Sequence, residues 1–369
     1  MLKVGIIGTG VIFDLNVLGY LNTPDVKITS LCNRTIEKAY EKRDKLNLKS
    51  DISVYSNYKE MLDKEDLDIV EILTPHHLHA EIAIYASQKA VKAISVQKPM
   101  ALDLQQADNM ITSCKKSGTI LSVYENFYYI PHIAKAKELI DSDYIGDPTS
   151  IRMKIAMGST GGWKIPESAE KWRKDAKKVG GAMKGSPVLL DNGWHAFAIV
   201  PWLLNEPIEK VFSWTGNFQG FDAPAYVMFK FKQTTEHVVP QYGHMEFILM
   251  PNAKIPSKYY PTDEFIEIIG TRGIMKINQG TSMGNLMSKS EIFAPIIIIR
   301  DGKVESLTDF KMDWKQSFIS ATRDFIDSVK NDKRVKLTGE KAREILKFNL
   351  AAIKSSELGR EVYLKDMEK

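Results

Sequence analysis

The first 125 residues alternate short apolar runs with helical patterns, and that alternation constrains the fold more than any other feature of the chain. "KVGIIG", "VKITSLC", "DIVEIL", "VKAISV" and "TILSV" are separated by helix-periodic stretches at about residues 11–21, 36–46, 77–88 and 104–115. Strands that recur with a helix between them are parallel, because a parallel return needs a crossover. Runs such as "VGII" are apolar on both faces, as strands covered by helices on both sides must be. The spacing predicts an α/β domain over residues 1–125, built from βαβ units on a parallel sheet.

From about residue 150 the pattern changes. A helix pattern over 188–204 precedes strand-like runs at 208–215, 225–232, 237–249, 264–269 and 292–299, and "IRDGKVES" places Asp301-Gly302 in a hairpin turn. Two amphipathic helices are predicted near 313–330 and 339–357. Strands without intervening helices predict an antiparallel sheet in an α+β second domain over residues 126–369. A chain of 369 residues is long enough for both.

Composition narrows the partners. Fifty basic against 46 acidic side chains leave a net charge of +4, too small and scattered for a nucleic-acid binder. Two cysteines, Cys32 and Cys114, cannot build a disulfide framework, which points to a reducing compartment. A strand beginning at residue 2 leaves no room for a signal peptide, and no apolar stretch approaches the ~18 residues of a membrane span. The expectation is a cytoplasmic protein with neither membrane nor nucleic acid as partner.

"GIIGTGVIFD" sets Gly8-Thr9-Gly10 between the first strand and the first helix, with Val11 and Ile12 at the helix entrance. The first glycine permits a tight turn, and the second lets backbone approach a pyrophosphate at the helix N-terminus. Phe13 occupies the third glycine position of GxGxxG. The second strand ends in "SLCNRT", without the acidic residue that accepts hydrogen bonds from the ribose 2′-hydroxyl of NAD(H). Asn33 and Arg34 stand there instead, near Thr35 and Lys38, and an arginine pairs with a 2′-phosphate. That favours NADP(H) over NAD(H), with a merely solvated Arg34 as the other reading.

Two further stretches carry chemistry. "ISVQKPMALD" ends a buried strand in Gln97, Lys98 and Pro99. "VLLDNGWHAFAIVPWLL" reads as one buried helix with Asp191 and His195 four apart, hence on one face, where a carboxylate orients an imidazole and favours its protonated form. A satisfied core histidine is the alternative. His76, His77 and His79 in "TPHHLHAE" diverge on a helix and do not match metal-ligand spacing, so no metal is expected. "GGWKIPESAEKWRKDAKKVGGAMKG" reads as a long loop. Its Trp163 or Trp172 would stack on a sugar and Arg173 would bind an anionic group, unless the loop packs on a neighbouring subunit.

Together these stretches resemble the Gfo/Idh/MocA oxidoreductases, over almost the whole length. The family's E-K-P is similar to Gln97-Lys98-Pro99, and its T-P-N-x-x-H to Thr74-Pro75-His76 with His79. Its G-G-G-x-L-x-D-x-G-x-H resembles Gly185 to His195, with Leu189, Asp191, Gly193 and His195 retained, and "TGEKAREILKFNLAAIKSSELGREVYL" is similar to its closing helix. Gln97, Phe13 and His76 depart from the usual pattern, and Gln97 removes a negative charge near the lysine. The resemblance implies a dinucleotide-binding Rossmann domain over residues 1–125, then an α+β substrate-binding and oligomerisation domain over 126–369 with a large, mostly antiparallel sheet. It implies that Lys98, Asp191 and His195 meet at the nicotinamide ring. It implies cofactor contacts from Thr74, Pro75, His76, His79, Gln97 and Asn126. It also makes Tyr128 a substrate-facing candidate, the alternative being an aromatic-packed crossover.

The expected activity is hydride transfer between NAD(P) and a secondary hydroxyl or ketone of a sugar, inositol or related polyol. His195 would be the general base, Lys98 would stabilise charge on the oxygen, and Asp191 would orient the imidazole or grip a substrate hydroxyl. The rivals are a redox-elimination glycosidase on the same scaffold and a non-catalytic nucleotide sensor. A homodimer or homotetramer through the second sheet is expected, because "YVMFKF" and "PIIIIR" would otherwise expose a large apolar face.

Overall fold

A computed structural model describes residues 1–47, 52–160, 187–233, 239–255, 257–279 and 294–368. Strands β1 (Leu2–Ile7), β2 (Val26–Cys32), β3 (Ser53–Tyr55), β4 (Ile69–Ile72), β5 (Ala93–Gln97) and β6 (Ile120–Tyr124) form a parallel sheet in the order β3-β2-β1-β4-β5-β6. Helices α1 (Phe13–Leu21), α2 (Ile36–Lys45), α3 (Tyr58–Lys64), α4 (His79–Ser87) and α5 (Leu104–Ser117) connect them. Strand order reverses between β1 and β4, the switch point beyond whose carboxyl ends open α/β sheets bind ligands. β4 is buried at every position, Glu71 included, as a central strand covered on both faces must be.

The chain then forms α6 (Pro131–Asp141), β7 (Pro148–Thr160), a π turn (Pro187–Asn192) and α7 (Trp194–Leu204). Strands β8 (Ile208–Thr215), β9 (Ala225–Phe231), β10 (Tyr242–Lys254), β11 (Thr262–Gly270) and β12 (Gly273–Gln279) follow. The hairpin β13 (Ile296–Arg300) and β14 (Lys303–Leu307), helices α8 (Trp314–Lys330) and α9 (Gly339–Leu358), and β15 (Val362–Tyr363) complete it. The second sheet runs β14-β13-β12-β11-β7-β10-β9-β8-β15. It is antiparallel except where β7 and β10 pair in parallel. The sequence pattern omits α6, β7 and β12, and β10 begins later than its apolar run suggests.

The chain divides into two compact units, and the first takes Met1–Asn126 together with Ser317–Leu346. Phe325, Ile326, Val329 and Val335 share one core cluster with Val4, Ile6, Phe13, Val17 and Tyr20. Thus most of α8 completes the core of the nucleotide unit, although chain order alone would assign it to the second. The approach is close: a Cβ added at Gly19 on α1 would overlap Thr322 on α8. Gly-to-Ala in a helix interior ordinarily stabilises by about 1 kcal/mol. Gly19→Ala is instead expected to destabilise by about 1–3 kcal/mol through overpacking, read as a lower urea midpoint. A gain in stability would mean that the two helices separate without cost.

Candidate functional site

The glycine turn is shaped by the sheet beneath it. Gly8 adopts φ +104°, and a Cβ there would lie 2.7 Å from the Leu73 carbonyl at the end of β4, so both backbone and space demand glycine. Gly10 differs, since a Cβ there would meet nothing within 4 Å. Protein packing does not require that glycine; a ligand against the backbone would. Val11 and Ile12 are half-buried at the entrance of α1, whose N-terminus has no side-chain cap. Phe13 N and Leu15 N donate to Gly10 O and Ile12 O, and the positive end of the helix dipole still suits an anion such as a pyrophosphate. Phe13, in place of the third glycine, is fully buried in the core.

Asn33 stitches the end of β2 to this turn. Its amide donates to Thr9 Oγ1 at 2.7 Å, and its carbonyl accepts from Thr35 N at 2.9 Å. Arg34 is exposed and has no ion-pair partner among the described residues. Thr74, directly beyond β4, has a buried Oγ1 without a hydrogen-bond partner among the described residues. These features fit a dinucleotide: an open glycine backbone, an uncapped helix end, an unsatisfied hydroxyl and an available guanidinium.

The loops after β4 and β5 are tied together. His79 is fully buried, with Nδ1 2.8 Å from the Pro99 carbonyl and Nε2 2.8 Å from the Thr74 carbonyl. Both partners are acceptors, so only the doubly protonated ring donates to both at once. This clasp links Thr74-Pro75 to Lys98-Pro99, whose peptide bond is cis. His76 is buried in the short turn between Pro75 and His79, its ring 5.7 Å from that of His79. Gln97 is buried and Lys98 half-buried at the rim of β5, and Gln97 Oε1 accepts from Lys98 N at 2.9 Å. Asn126 is buried and donates to Ser317 Oγ at 2.9 Å, so its amide is engaged within the nucleotide unit.

In the second unit, Asp191 and His195 do not lie on one uninterrupted α-helix, as the sequence pattern suggested. A π turn carries Asp191, with Gly193 N donating to Val188 O at 2.6 Å, and α7 starts only at Trp194. The α-helical rule that put the two on one face does not run across this junction. The turn is held from outside. Asp222 accepts from Val188 N at 2.7 Å and Leu189 N at 3.0 Å, and Asn349 on α9 donates to Leu189 O at 2.7 Å. Burial pushes the Asp222 carboxyl above its ordinary range, against the pull of those N–H donors. Asp191 is buried and His195 half-buried.

The His195 ring stacks on Phe127, with centroids 3.9 Å apart and planes inclined by 13°. Tyr128, the neighbour singled out from sequence, is buried instead against α7. Its hydroxyl donates to the Ala198 carbonyl at 3.2 Å and its ring stacks on Trp202 at 4.5 Å. Phe127 and Asp222 were missed because neither lies in a chemical motif; the aromatic run "NFYY" was the available signal. Trp163, Trp172 and Arg173 lie outside the described residues.

The chain is similar to known proteins along most of its length. Residues 2–125 match the description "Oxidoreductase family, NAD-binding Rossmann fold", and residues 137–364 match "Oxidoreductase family, C-terminal alpha/beta domain". The chain is 23% identical to myo-inositol 2-dehydrogenase of Thermotoga maritima, with 99% of each covered. It is 23% identical to 2,7-anhydro-N-acetylneuraminate hydratase of Escherichia coli, over 78% of this chain and 70% of that protein. An uncharacterized protein of Saccharomyces cerevisiae is 30% identical over 209 residues, and there the match spans only 56% of each chain. Scyllo-inositol dehydrogenase of Lactobacillus casei, solved with NAD(H) and scyllo-inositol, shares the fold at a TM-score of 0.75, with 18% identity and 99% of each chain covered. The chain belongs to the Gfo/Idh/MocA oxidoreductase family, with an NAD-binding Rossmann domain followed by the family's C-terminal α/β domain.

Proposed function

We propose that the protein is a dehydrogenase that moves a hydride between a nicotinamide dinucleotide and a CH–OH carbon of a sugar, inositol or related polyol. The observation that carries this reading is the place of Lys98. It stands directly beyond β5 on the rim that bears the glycine turn, in a loop fixed by the His79 clasp. Gly8, Gly10, Thr74 and the entrance of α1 would hold the cofactor, which supplies the hydride acceptor or donor. The Lys98 ammonium hydrogen-bonds the reacting oxygen and offsets negative charge developing there. His195, its ring plane fixed by Phe127, takes the hydroxyl proton during oxidation and returns it during reduction. Asp191 orients the imidazole or holds a neighbouring substrate hydroxyl. The test is a panel of sugars and polyols offered with NAD and NADP, followed by absorbance of the reduced nicotinamide.

A second reading draws on the hydratase relative. There the cofactor would be restored within each cycle, and the net reaction would be hydration or glycoside cleavage. Product formation without net change in reduced nicotinamide would select it.

NADP(H) is our preferred cofactor, because Arg34 is exposed just beyond β2 and Asn33 stands there in place of an acidic residue that would repel a 2′-phosphate. Arg34→Ala is expected to weaken NADPH binding about 10–100-fold, the worth of a charge-assisted hydrogen bond, and to leave NADH nearly unchanged. Equal losses for both, measured by nicotinamide fluorescence titration, would make Arg34 structural.

Self-association through the second sheet is the expected assembly. β9 alternates buried and exposed residues, and its outward side with β8 and β10 presents Tyr226, Met228, Trp214 (56% exposed) and Tyr242 (54% exposed). A second copy covers such a face with one self-complementary surface. Light scattering should give a dimer or tetramer for the parent, dissociated by Tyr226→Lys with Met228→Lys. A parent monomer at micromolar concentration would contradict this.

A further inference from the structure

Glu71 is a carboxylate in the middle of β4, fully buried beneath the rim that carries Lys98. A buried carboxylate without a task is costly, so its partners matter. Asn16 Nδ2 donates to Oε1 at 3.1 Å and Tyr20 OH donates to Oε2 at 2.5 Å, both from α1. Ser95, its register partner on β5, adds a side-chain hydrogen bond. From Asn16 the chain of contacts continues upward: Gln97 Nε2 donates to Asn16 Oδ1 at 3.3 Å, and Gln97 Oε1 accepts from Lys98 N at 2.9 Å.

The order of donors in this chain is enforced from its two ends. Carboxamides can flip, and their nitrogen and oxygen then exchange roles. Here an acceptor-only carboxylate stands at the bottom and a donor-only backbone N–H at the top. An ionised Glu71 therefore sets Asn16, which sets Gln97, which holds the Lys98 backbone. We propose that Glu71 is a positioning residue for Lys98, acting through Asn16 and Gln97 in its charged form. This rests on the reading of Lys98 as the oxygen-binding group. It also accounts for Gln97 where the family's usual glutamate would stand: a carboxylate there could not donate to Asn16, and the charge sits one layer below instead.

Desolvation raises the Glu71 carboxyl to about 7, against its three hydrogen-bond donors, so its charge changes near neutrality. The groups facing it are Tyr20 and Asn16 on α1, Ser95 on β5, Tyr124 on β6 and the apolar Ile6 on β1. Burial pushes both phenols well up, so neither titrates in this window.

Glu71→Gln keeps the shape and removes the charge. With the protein at pH 8, kcat should fall about 10–100-fold, the scale of a slightly misplaced catalytic group. Below pH 6 the parent is itself protonated at this position, so the two rates should converge. The ratio cancels any titration of His195. In a Lys98→Ala background the same substitution should cost nothing further, since its effect passes through Lys98. A pH-independent ratio, or an additive loss in that background, would overturn the proposal.

One arm needs no substrate. In parent protein with selectively labelled backbone and glutamate carboxyls, the Lys98 amide resonance should shift with the midpoint of the Glu71 carboxyl, and Glu71→Gln should abolish that shift. A Lys98 amide that ignores the Glu71 titration would also overturn it. Failure of every polyol on the panel would count against the dehydrogenase reading and leave this arm to decide the positioning role.

Discussion

Lys98→Ala is expected to lower kcat by about 10²–10⁴ while cofactor affinity stays within a few-fold, because the role proposed for the ammonium is to bind the reacting oxygen and not the dinucleotide. His195→Ala should cost a comparable factor by removing the proposed proton acceptor. The two losses should differ in their pH behaviour. Activity of the His195 variant should recover partly at high pH, where hydroxide accepts the proton of the substrate hydroxyl, and the Lys98 variant should gain nothing there. Near-normal turnover in either variant on the true substrate would remove that residue from the reaction. Phe127 makes an internal control: its ring stacks on the imidazole, so Phe127→Leu should lower kcat less than His195→Ala.

The second large effect is on stability. Glu71 holds its carboxyl at about 7 in the folded protein, against an ordinary value of 4.5, because burial disfavours the charged form. Between those values the native protein binds more protons than the unfolded chain. Stability from this group is therefore fully present below pH 4.5 and is lost as pH rises through about 7. A displacement of that size corresponds to about 3 kcal/mol over the whole window. Glu71→Gln has no such titration. Urea unfolding at pH 5 and pH 8 should show the variant gaining about 2–3 kcal/mol relative to the parent across that interval. Parallel pH dependence of the two proteins would mean that the carboxylate is stabilised as well as a solvated one. The pairing of this cost with the positioning role is a trade of stability for an ordered site, as strained or buried polar groups near active sites commonly are.

The parallel sheet was legible because its strands are apolar on both faces and regularly spaced, and Ile69–Ile72 is buried throughout. Ser53–Tyr55 left no such trace: three half-buried residues at a sheet edge give neither a run nor an alternation. β7 does alternate, with Ile151, Met153 and Ile155 buried between Arg152 and Lys154, but methionine and alanine are weak strand formers and blurred the signal. The return of α8 to the first core is a tertiary fact, set by Phe325 and Ile326 meeting residues some three hundred positions earlier.

The site divides in the same way. Gly8 and Lys98 were readable because turn geometry and strand ends leave local marks. The π turn at Asp191 was not, since the carboxylate that holds it, Asp222, lies 34 and 33 positions from the amides it accepts from. Glu71 carries a local signal of its own: a lone acid inside a fully buried strand must have partners, and those partners lead to the rim.

Direct transfer of hydrogen tests the central claim most closely. A polyol that supports turnover, carrying deuterium on the carbinol carbon, should deliver that label to C4 of the nicotinamide, and none should reach water. Arg34→Ala should change which dinucleotide receives it and leave the transfer itself intact. Label appearing in solvent while the dinucleotide remains unlabelled would contradict hydride transfer as the reaction of this protein.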